Sequence, residues 1–265
     1  MKIFVWTRKS VLLYMGLICS ITCLVCFNWS NTVSVFENSS KKDLPIYCVS
    51  KEEKVCSLSF DAAWGNEDTE LLIKELGDYG AKATFFVVGS WVDKFPQSVK
   101  QLHDAGHEIM NHSDTHPHMT QISVDKMKSE VISCDDKIQA ITGVRPNLFR
   151  PPYGDYNNSV VGAMRETGHY TIQWDVDSLD WKDLSAQAIY ERVTSRIKPG
   201  SIVLFHNAAK HTPEALPMIL KFLKDNEYTI VPVSQLIYKD NFRIDNNGMQ
   251  IPNTEISNSD SSTNK

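Results

Sequence analysis

The sequence is short of positive charge, and it lacks both a glycine-rich phosphate loop and a visible internal repeat. Beyond residue 40 it carries 24 Lys and Arg against 31 Asp and Glu, a formal charge of −7. This acidic balance argues against nucleic acids and anionic polymers as main ligands, and a neutral substrate is easier to accommodate. Without a loop that cradles phosphate, nothing supports a nucleotide site. The 265 residues suffice for one substantial core with appendages.

Charge is also absent from residues 10–29, a 20-residue apolar run near the N-terminus. A helix of that length would be roughly 30 Å long, which matches the hydrocarbon core of a bilayer. The run is longer than the apolar region of a usual signal peptide, and no Ala-x-Ala-like cleavage site follows. We therefore favour a retained transmembrane anchor over a cleaved signal peptide, and over a soluble helix, which would need a polar face. Lys2, Arg8 and Lys9 predict that residues 1–9 are cytoplasmic and that the remainder lies outside the membrane.

Polar composition marks two more segments outside the globular part. Residues 30–43 and 240–265 are rich in Ser, Asn, Asp and Lys, which predicts a stalk and a disordered tail. The globular unit is therefore expected at residues 44–239. Cys48 and Cys56 flank a predicted hairpin, where a disulfide is an alternative to the favoured interpretation of two free cysteines.

From residue 44 onward, apolar strand-like runs alternate with amphipathic stretches of helical length. That alternation predicts an α/β fold with a largely parallel sheet. Seven strands linked by helices suit a closed or nearly closed barrel, with an open doubly wound sheet as the alternative. The predicted strands are residues 55–60, 83–88, 107–110, 148–150, 171–175, 201–205 and 229–233. The predicted helices are residues 67–78, 96–105, 123–141, 159–167, 185–197 and 213–226.

Polar residues follow several predicted strands, where the loops of a parallel barrel converge on one mouth. Asp61 follows the first strand and is suited to act as a base on a metal-bound water, although it could simply cap the next helix. His112 and His116, spaced H-x-x-x-H after the third strand, could chelate a zinc-like ion. A solvated histidine-rich loop is the alternative for this pair.

Two further strand ends carry polar groups. Arg150 could orient Asp61 through a bidentate contact, and the prolines after it leave the backbone N–H of Tyr153 as a fixed donor for an oxyanion. The alternative is a structural turn with a surface arginine. His206 ends another predicted strand beside an acidic loop that contains Asp180, and a carboxylate near an imidazole supports the protonated form that a general acid requires.

Together these motifs resemble the NodB-homology polysaccharide deacetylases, carbohydrate esterase family four. The resemblance covers about residues 55–237. It rests on five ordered motifs: Ser59-Phe60-Asp61, His112-Ser113-x-x-His116, Arg150-Pro-Pro-Tyr153, Asp177-x-x-Asp180-Trp181 and Leu204-x-His206.

The resemblance implies a distorted (β/α) barrel with a divalent metal, usually zinc, that hydrolyses acetyl groups on sugars. It implies these roles for the matching residues: Asp61 as base, His112 and His116 as metal ligands, Arg150 as orienter of the base, the Tyr153 amide as oxyanion donor, His206 as general acid, Asp180 as its partner, and Trp181 with Leu204 as the pocket for the acetyl methyl.

The sequence departs from the family at residue 62. Active members mostly have a second Asp there, which completes an Asp-His-His metal triad, whereas alanine cannot ligate. The third ligand must then be water, Asp61 itself, or one of the nearby oxygen donors Asn66, Glu67, Asp68 and Asp114. The run Ser-Phe-Asp-Ala-Ala-Trp-Gly resembles the membrane-anchored, sporulation-associated PdaB-like branch.

The expected function is therefore N-deacetylation of an acetylated cell-wall glycan, peptidoglycan above all, by a membrane-anchored extracytoplasmic domain. A glycan-binding or structural envelope protein that keeps the site without turnover is the rival, and chitin or xylan are alternative substrates. The sequence indicates neither a nucleic acid nor a protein partner.

Overall fold

The computed structural model describes residues 42–253. The predicted anchor at residues 10–29, the predicted stalk up to residue 41 and residues 254–265 lie outside that range. Within residues 42–253, no helix has the length and apolar character needed to cross a membrane.

The main sheet has eight strands, and every pairing within it is parallel. These eight strands follow one another along residues 55–230, and all seven predicted strand positions contain a strand. The strands are β2 (Val55–Ala62), β3 (Thr84–Val87), β4 (Glu108–Asn111), β5 (Leu148–Phe149), β6 (Tyr170–Thr171), β7 (Val176–Asp177), β8 (Ile202–His206) and β9 (Thr229–Ile230).

The sheet curls like a barrel with one gap. Its order is β6-β5-β4-β3-β2-β8-β7, with β9 beside the start of β2, so the missing neighbour pair is β6 and β7. Near this gap Ile46 bridges Ile172 and Cys48 bridges Ser201. The predicted barrel is thus confirmed as a curled parallel sheet. The run predicted at residues 171–175 is divided between β6 and β7, because the chain leaves the sheet edge after Thr171 to meet Ile46.

Helices connect the strands and cover the outer face of the sheet. The six predicted helices are confirmed, with ends shifted by up to three residues, whereas the sequence interpretation missed two short ones, Gly89–Lys94 and Val233–Leu236. Ser185 caps the sixth helix, accepting from the Ala188 N–H at 3.3 Å. The helices are α1 (Thr69–Asp78), α2 (Gly89–Lys94), α3 (Pro96–Asp104), α4 (Val124–Thr142), α5 (Asn158–Glu166), α6 (Ala186–Thr194), α7 (Thr212–Asp225) and α8 (Val233–Leu236).

The alternation along β2 separates the apolar core from the site. Leu58, Phe60 and Ala62 are fully buried in the apolar cluster that includes side chains of the surrounding helices. Phe60 stacks on Phe85 at 4.8 Å between ring centroids. Ser59 and Asp61 point to the other face, into the barrel, because successive side chains of a strand alternate between faces.

The C-terminal segment differs from the prediction. Residues 240–253 are not a disordered tail: β10 (Phe242–Ile244) and β11 (Met249–Pro252) form a hairpin, and β11 pairs in parallel with β1 (Cys48–Val49). Gln250 explains the order, because its buried side chain bonds the backbone N–H and C=O of Tyr238. The sequence did not indicate this hairpin because its residues are mostly polar. Hydrogen bonds, rather than burial of apolar side chains, hold it in place.

The predicted hairpin between Cys48 and Cys56 is also wrong. β1 pairs with β11 rather than with β2, so the two cysteines do not face each other across a turn. Cys48, Cys56 and Cys134 are free and buried. The favoured interpretation of unpaired cysteines is confirmed for the residues that the structure describes.

Candidate active site

One cleft of about 510 Å³ collects the predicted site residues at the carboxyl ends of the strands. Seven of the nine line it directly, and Arg150 and Asp180 lie buried behind it, in contact with Asp61 and His206. The lining residues are Asp61, Ala63, Trp64, His112, His116, Tyr153, Gly154, Trp174, Asp177, Trp181, Leu204 and His206.

A buried ion pair forms the base of the cleft. Nη1 of Arg150 donates to Oδ1 of Asp61 at 2.8 Å, while Nη2 donates to Ser59 Oγ at 2.8 Å. The predicted bidentate contact is therefore wrong, because the second nitrogen is held by Ser59. The alternative of a surface arginine is also wrong, since Arg150 is completely buried. Its guanidinium lies 4.1 Å from the centre of the Phe86 ring.

This pairing keeps Asp61 ionised. Burial by itself raises the pKa of Asp61, but the charge and hydrogen bond of Arg150, with the nearby imidazole of His206, outweigh burial and hold that pKa below its usual value. The free oxygen Oδ2 lies 3.5 Å from Nε2 of His112. Asp61 is thus a charged proton acceptor at the floor of the cleft, with one oxygen fixed and the other directed toward the histidine pair.

The histidine pair lies together and is neutral. The ring centroids of His112 and His116 are 5.0 Å apart. Burial lowers the pKa of His112, and it lowers the pKa of His116 to about 4. Nδ1 of His112 lies 2.7 Å from the carbonyl oxygen of Arg150. Because a carbonyl can only accept, Nδ1 carries the proton and Nε2 presents its lone pair to the cleft, as ligation requires.

Helix α4 holds the loop that carries this pair. Glu130 is 1% exposed, and its carboxylate accepts from the backbone N–H groups of Asp114 and Thr115 at 3.1 and 2.7 Å. Asp135 accepts from Nδ2 of Asn111 at 2.7 Å, and the Asn111 side-chain oxygen accepts the Ser113 N–H at 2.8 Å. These bonds fold a loop in which Ser113 and His116 adopt left-handed backbone angles. Sequence reasoning missed them, because both carboxylates appear in α4 as ordinary helix charges.

His206 and Asp180 form the other side of the site. Nδ1 of His206 lies 2.7 Å from Oδ1 of Asp180. Burial lowers the pKa of His206, but the hydrogen bond and charge of Asp180 more than offset it and raise that pKa above its usual value. Oδ2 of Asp180 accepts from the His206 N–H at 2.8 Å and from Thr212 Oγ1 at 2.7 Å. The carboxylate is therefore held in place and supports a protonated imidazole.

Exposed aromatic rings surround the opening. Tyr153 adopts a left-handed conformation, with φ of 60°, and its ring stacks on His118 at 4.2 Å and lies edge-on to His116 at 4.6 Å. Trp181 stands across the cleft in the turn of residues 180–182. Trp64 lies 6.1 Å from His206 and 6.4 Å from His116 between ring centroids. Sequence reasoning missed Trp64 as a site residue, although an aromatic residue three positions after the strand-end Asp61 was a usable signal.

The nearby oxygen donors do not complete a metal site. Asn66 donates to Ser98 Oγ at 3.0 Å, and Asp114 pairs with Lys137 at 2.7 Å. Glu67 and Asp68 border a different surface depression. None of these four residues lines the cleft, so the interpretation of any of them as third ligand is wrong.

The donor set therefore fits a divalent metal only in part. His112 presents Nε2 to the cleft and the imidazole of His116 lines it, which suits two of the protein ligands of zinc. Within residues 42–253, however, no group of three His, Cys, Asp or Glu side chains is arranged to hold a metal ion. Ala62 is fully buried among apolar side chains and supplies no donor.

Comparison with known proteins identifies relatives that match about three quarters of the chain. The family model for polysaccharide deacetylases matches residues 49–172. The peptidoglycan-N-acetylmuramic acid deacetylase PdaA of Bacillus subtilis is 31% identical over 202 residues, which cover 75% of this chain and 77% of PdaA. The deacetylase PdaC of the same organism is 36% identical over 188 residues, 71% of this chain and 40% of PdaC. The matched region spans 60% of the uncharacterized protein YlxY of Bacillus subtilis, at 32% identity.

Solved structures agree with these matches. A pseudoenzyme of carbohydrate esterase family 4 from Bacillus anthracis superposes with a TM-score of 0.70 at 34% identity, covering 72% of this chain and 68% of that one. A mutant of that protein with restored enzymatic activity has the same TM-score, 0.70, at 35% identity, with coverage of 72% and 70%. The fold is therefore shared by both active and inactive forms.

Proposed function

This chain belongs to the polysaccharide deacetylase family, and from that premise we propose that it hydrolyses N-acetyl groups of a cell-wall glycan of the peptidoglycan type. The observation that carries the proposal is that two buried pairs lie around one cleft. One is a candidate general base with its positioning residue, Asp61 with Arg150, and the other is a candidate general acid with its carboxylate, His206 with Asp180. Relatives named as peptidoglycan deacetylases support the substrate class.

The proposed base is Asp61. Its pKa lies below the usual value, and Arg150 fixes Oδ1, so Oδ2 remains to accept a proton from a water molecule in the cleft. That water would attack the carbonyl carbon of the acetamide group. Arg150 acts as a positioning residue, since it contacts the base and not the substrate.

The proposed oxyanion donor is the backbone N–H of Tyr153. The two preceding prolines carry no N–H, and the left-handed turn at Tyr153 fixes the direction of the amide. A fixed donor stabilises the negative charge that develops on the acetamide oxygen without reorganisation. Trp181 and Leu204 are proposed to enclose the acetyl methyl group.

The proposed general acid is His206. Its raised pKa keeps the imidazole protonated to higher pH, because Asp180 holds Nδ1 and leaves Nε2 free to deliver a proton. That proton goes to the sugar nitrogen as the C–N bond breaks. The products are acetate and a free amino sugar.

His112 and His116 are the residues that would hold a divalent metal, which we propose to be zinc. When bound, such an ion supplies Lewis acidity that polarises a carbonyl and lowers the pKa of water. With only two imidazole ligands and no carboxylate at residue 62, we expect weak occupancy.

The second candidate is a glycan-binding envelope protein without turnover. The missing third ligand favours it, as does the likeness to a pseudoenzyme of the same family. It predicts little bound metal and no acetate release even with zinc, cobalt or nickel in the buffer.

We further propose that residues 10–29 anchor the protein in the cell membrane, with the deacetylase domain on the extracytoplasmic side. The charge-free run and the basic residues before it support this topology. Membership of the sporulation-associated PdaB-like branch stays a prediction. Protease accessibility of the domain in intact protoplasts tests the topology.

Acetate release from purified peptidoglycan tests the function. We expect residues 40–265 to release acetate when zinc is supplied, and Asp61→Asn and His206→Ala each to abolish release without loss of the folded state by circular dichroism. Unchanged release from either variant would refute the assigned roles. No release from the wild type with any of the three metals supports the second candidate.

A further inference from the structure

Trp64 is an exposed indole at the centre of the site that the proposed mechanism does not use. Its side chain is 57% exposed, although it lies within 6.5 Å of two site histidines, at 6.1 Å from His206 and 6.4 Å from His116 between ring centroids. Leaving so large an apolar ring in water forgoes the free energy that burial would give. An exposed indole beside two site histidines is placed to contact a ligand in the cleft.

Hydrogen bonds hold the backbone on both sides of Trp64. The side chain of Asn207 accepts from the Ala63 N–H at 3.2 Å and donates to the carbonyl oxygen of Gly65. Nε1 of Trp91 donates to that same carbonyl at 2.9 Å. Both neighbours of Trp64 are thus fixed to other elements. A side chain on a backbone segment that is already fixed loses less conformational entropy when a ligand stacks on it.

Trp64 also separates two depressions. The first is the cleft described above. The second, of about 360 Å³, lies beside it and is lined by Ala208, Ala209 and Lys210 on its far side. Trp64, Trp181 and His206 line both. Because Trp181 is 56% exposed as well, the two indoles form an aromatic ridge between the depressions.

The chemistry of this ridge fits neighbouring sugar units of one strand. A pyranose ring has an apolar C–H face, which packs on an indole, and polar edges, which remain available for hydrogen bonds. In the second depression the charges of Lys210 and Asp183 face each other at 3.6 Å, so the surface is nearly neutral. A neutral polymer suits it better than a charged ligand.

We propose that the ridge of Trp64 and Trp181 binds two adjacent sugars of a glycan strand, one in each depression, so that the site takes a polymer rather than a free N-acetyl sugar. This inference rests on the proposed function for the nature of the ligand. No part of the ridge involves His112 or Asp61. Glycan binding is therefore independent of any metal.

Calorimetric titration of the full-length protein tests the ridge. The protein is held in a detergent without a sugar headgroup, with EDTA present, and titrated with N-acetylglucosamine and its disaccharide and tetrasaccharide. The variants are Trp64→Ala, the conservative Trp64→Phe, and Val144→Ala as a control at an exposed apolar residue on a remote loop.

We expect the wild type to bind the tetrasaccharide more tightly than the monosaccharide. Trp64→Ala should lose about tenfold in affinity for the tetrasaccharide, equivalent to about 1.4 kcal/mol, and much less for the monosaccharide. Trp64→Phe and Val144→Ala should stay close to the wild type. The proposal is overturned if Trp64→Ala binds the tetrasaccharide like the wild type, if Trp64→Phe binds no better than Trp64→Ala, or if EDTA abolishes binding.

Acetate release from peptidoglycan distinguishes the two proposals; it is measured on the same preparations after EDTA has been removed and zinc added. Length-dependent binding without acetate release refutes turnover and supports the ridge. Acetate release with binding that is independent of oligomer length refutes the ridge and supports turnover.

Discussion

Nδ1 of His206 lies 2.7 Å from Oδ1 of Asp180, and the other oxygen of that carboxylate accepts the His206 backbone N–H at 2.8 Å. One side chain thus fixes both the position and the charge of the imidazole. Because Asp180 is 1% exposed, its charge acts on His206 with little screening by water.

The first prediction concerns the titration of His206. Burial lowers the pKa of His206, and Asp180 raises it by more. Asp180→Asn removes the largest opposing influence and leaves burial, so the pKa of His206 should fall from its raised value. NMR titration of the imidazole carbons measures the change. The control is Asp183→Asn, which removes an exposed carboxylate on the same loop. An unchanged titration of His206 in Asp180→Asn would contradict the pairing.

The second prediction is the pH dependence of stability that this pair causes. A group whose pKa is raised by folding adds stability at pH values below its unfolded pKa, and that contribution disappears as pH rises through the folded pKa. The difference in unfolding free energy between the wild type and His206→Gln should therefore be larger at pH 5 than at pH 9. Urea unfolding at the two pH values measures it, and an opposite slope would show that Asp180 does not hold a charged imidazole.

The third prediction concerns Arg150. Arg150→Ala leaves Asp61 charged, buried and unpaired, and should lower the unfolding free energy by about 3–5 kcal/mol. Asp61→Leu combined with Arg150→Met replaces both charges by apolar groups and should recover most of that loss. Lys74→Ala, in an exposed pair with Asp78, should leave the unfolding free energy almost unchanged, because water screens that pair. A double variant as unstable as Arg150→Ala would mean that the ion pair itself holds the fold.

The strand-end motifs were predictable because each is local. Asp61, His112 and His206 directly follow or end apolar runs, and the carboxyl ends of parallel strands meet at one edge. Periodicity located the six long helices for the same reason. What joins the motifs was not predictable: the bond from Arg150 to Ser59 links residues 91 positions apart, and no local pattern records it.

Other failures have a different cause. β10 and β11 are held by pairing with β1 and by Gln250, so their polar composition resembled a disordered tail. The carboxylate of Glu130 looked like a surface charge of α4 because helical periodicity does not say what lies against the helix. Nothing local in the sequence distinguishes a buried, bonded carboxylate from a solvated one.

The fourth prediction concerns Glu130. Its buried carboxylate accepts three hydrogen bonds from Asp114 and Thr115, so Glu130→Ala should cost roughly 2–4 kcal/mol of unfolding free energy. Because these bonds shape the histidine loop, the variant should also bind cobalt about tenfold more weakly, a loss typical of residues that support metal ligands. Glu166→Ala, at an exposed carboxylate, is the control. Cobalt affinity equal to that of the wild type would limit Glu130 to a role in stability.

The last prediction concerns Ala62. Its side chain lies in the apolar cluster at the end of β2 and is fully buried. A carboxylate there loses its hydration, so Ala62→Asp should lower stability by about 1–3 kcal/mol when no metal is present. A ligand that binds only the folded protein restores about 2.7 kcal/mol at a concentration of 100 Kd. Zinc should therefore return the variant to wild-type stability or above, while it stabilises the wild type much less.

Ala62→Asn is the control that separates ligation from steric effects, because the asparagine side chain has nearly the same shape as aspartate but carries no charge. Loss of a residue that supports a metal ligand typically lowers metal affinity by roughly 10- to 100-fold. Ala62→Asp adds a direct ligand, so its zinc affinity should rise by more than that. Zinc content by mass spectrometry and thermal unfolding with and without zinc measure both effects. If the wild type already holds one zinc per chain as tightly as Ala62→Asp, a residue already present completes the site. Asp61, whose Oδ2 lies 3.5 Å from Nε2 of His112, is the carboxylate best placed to complete it, and as a ligand it could no longer act as the base.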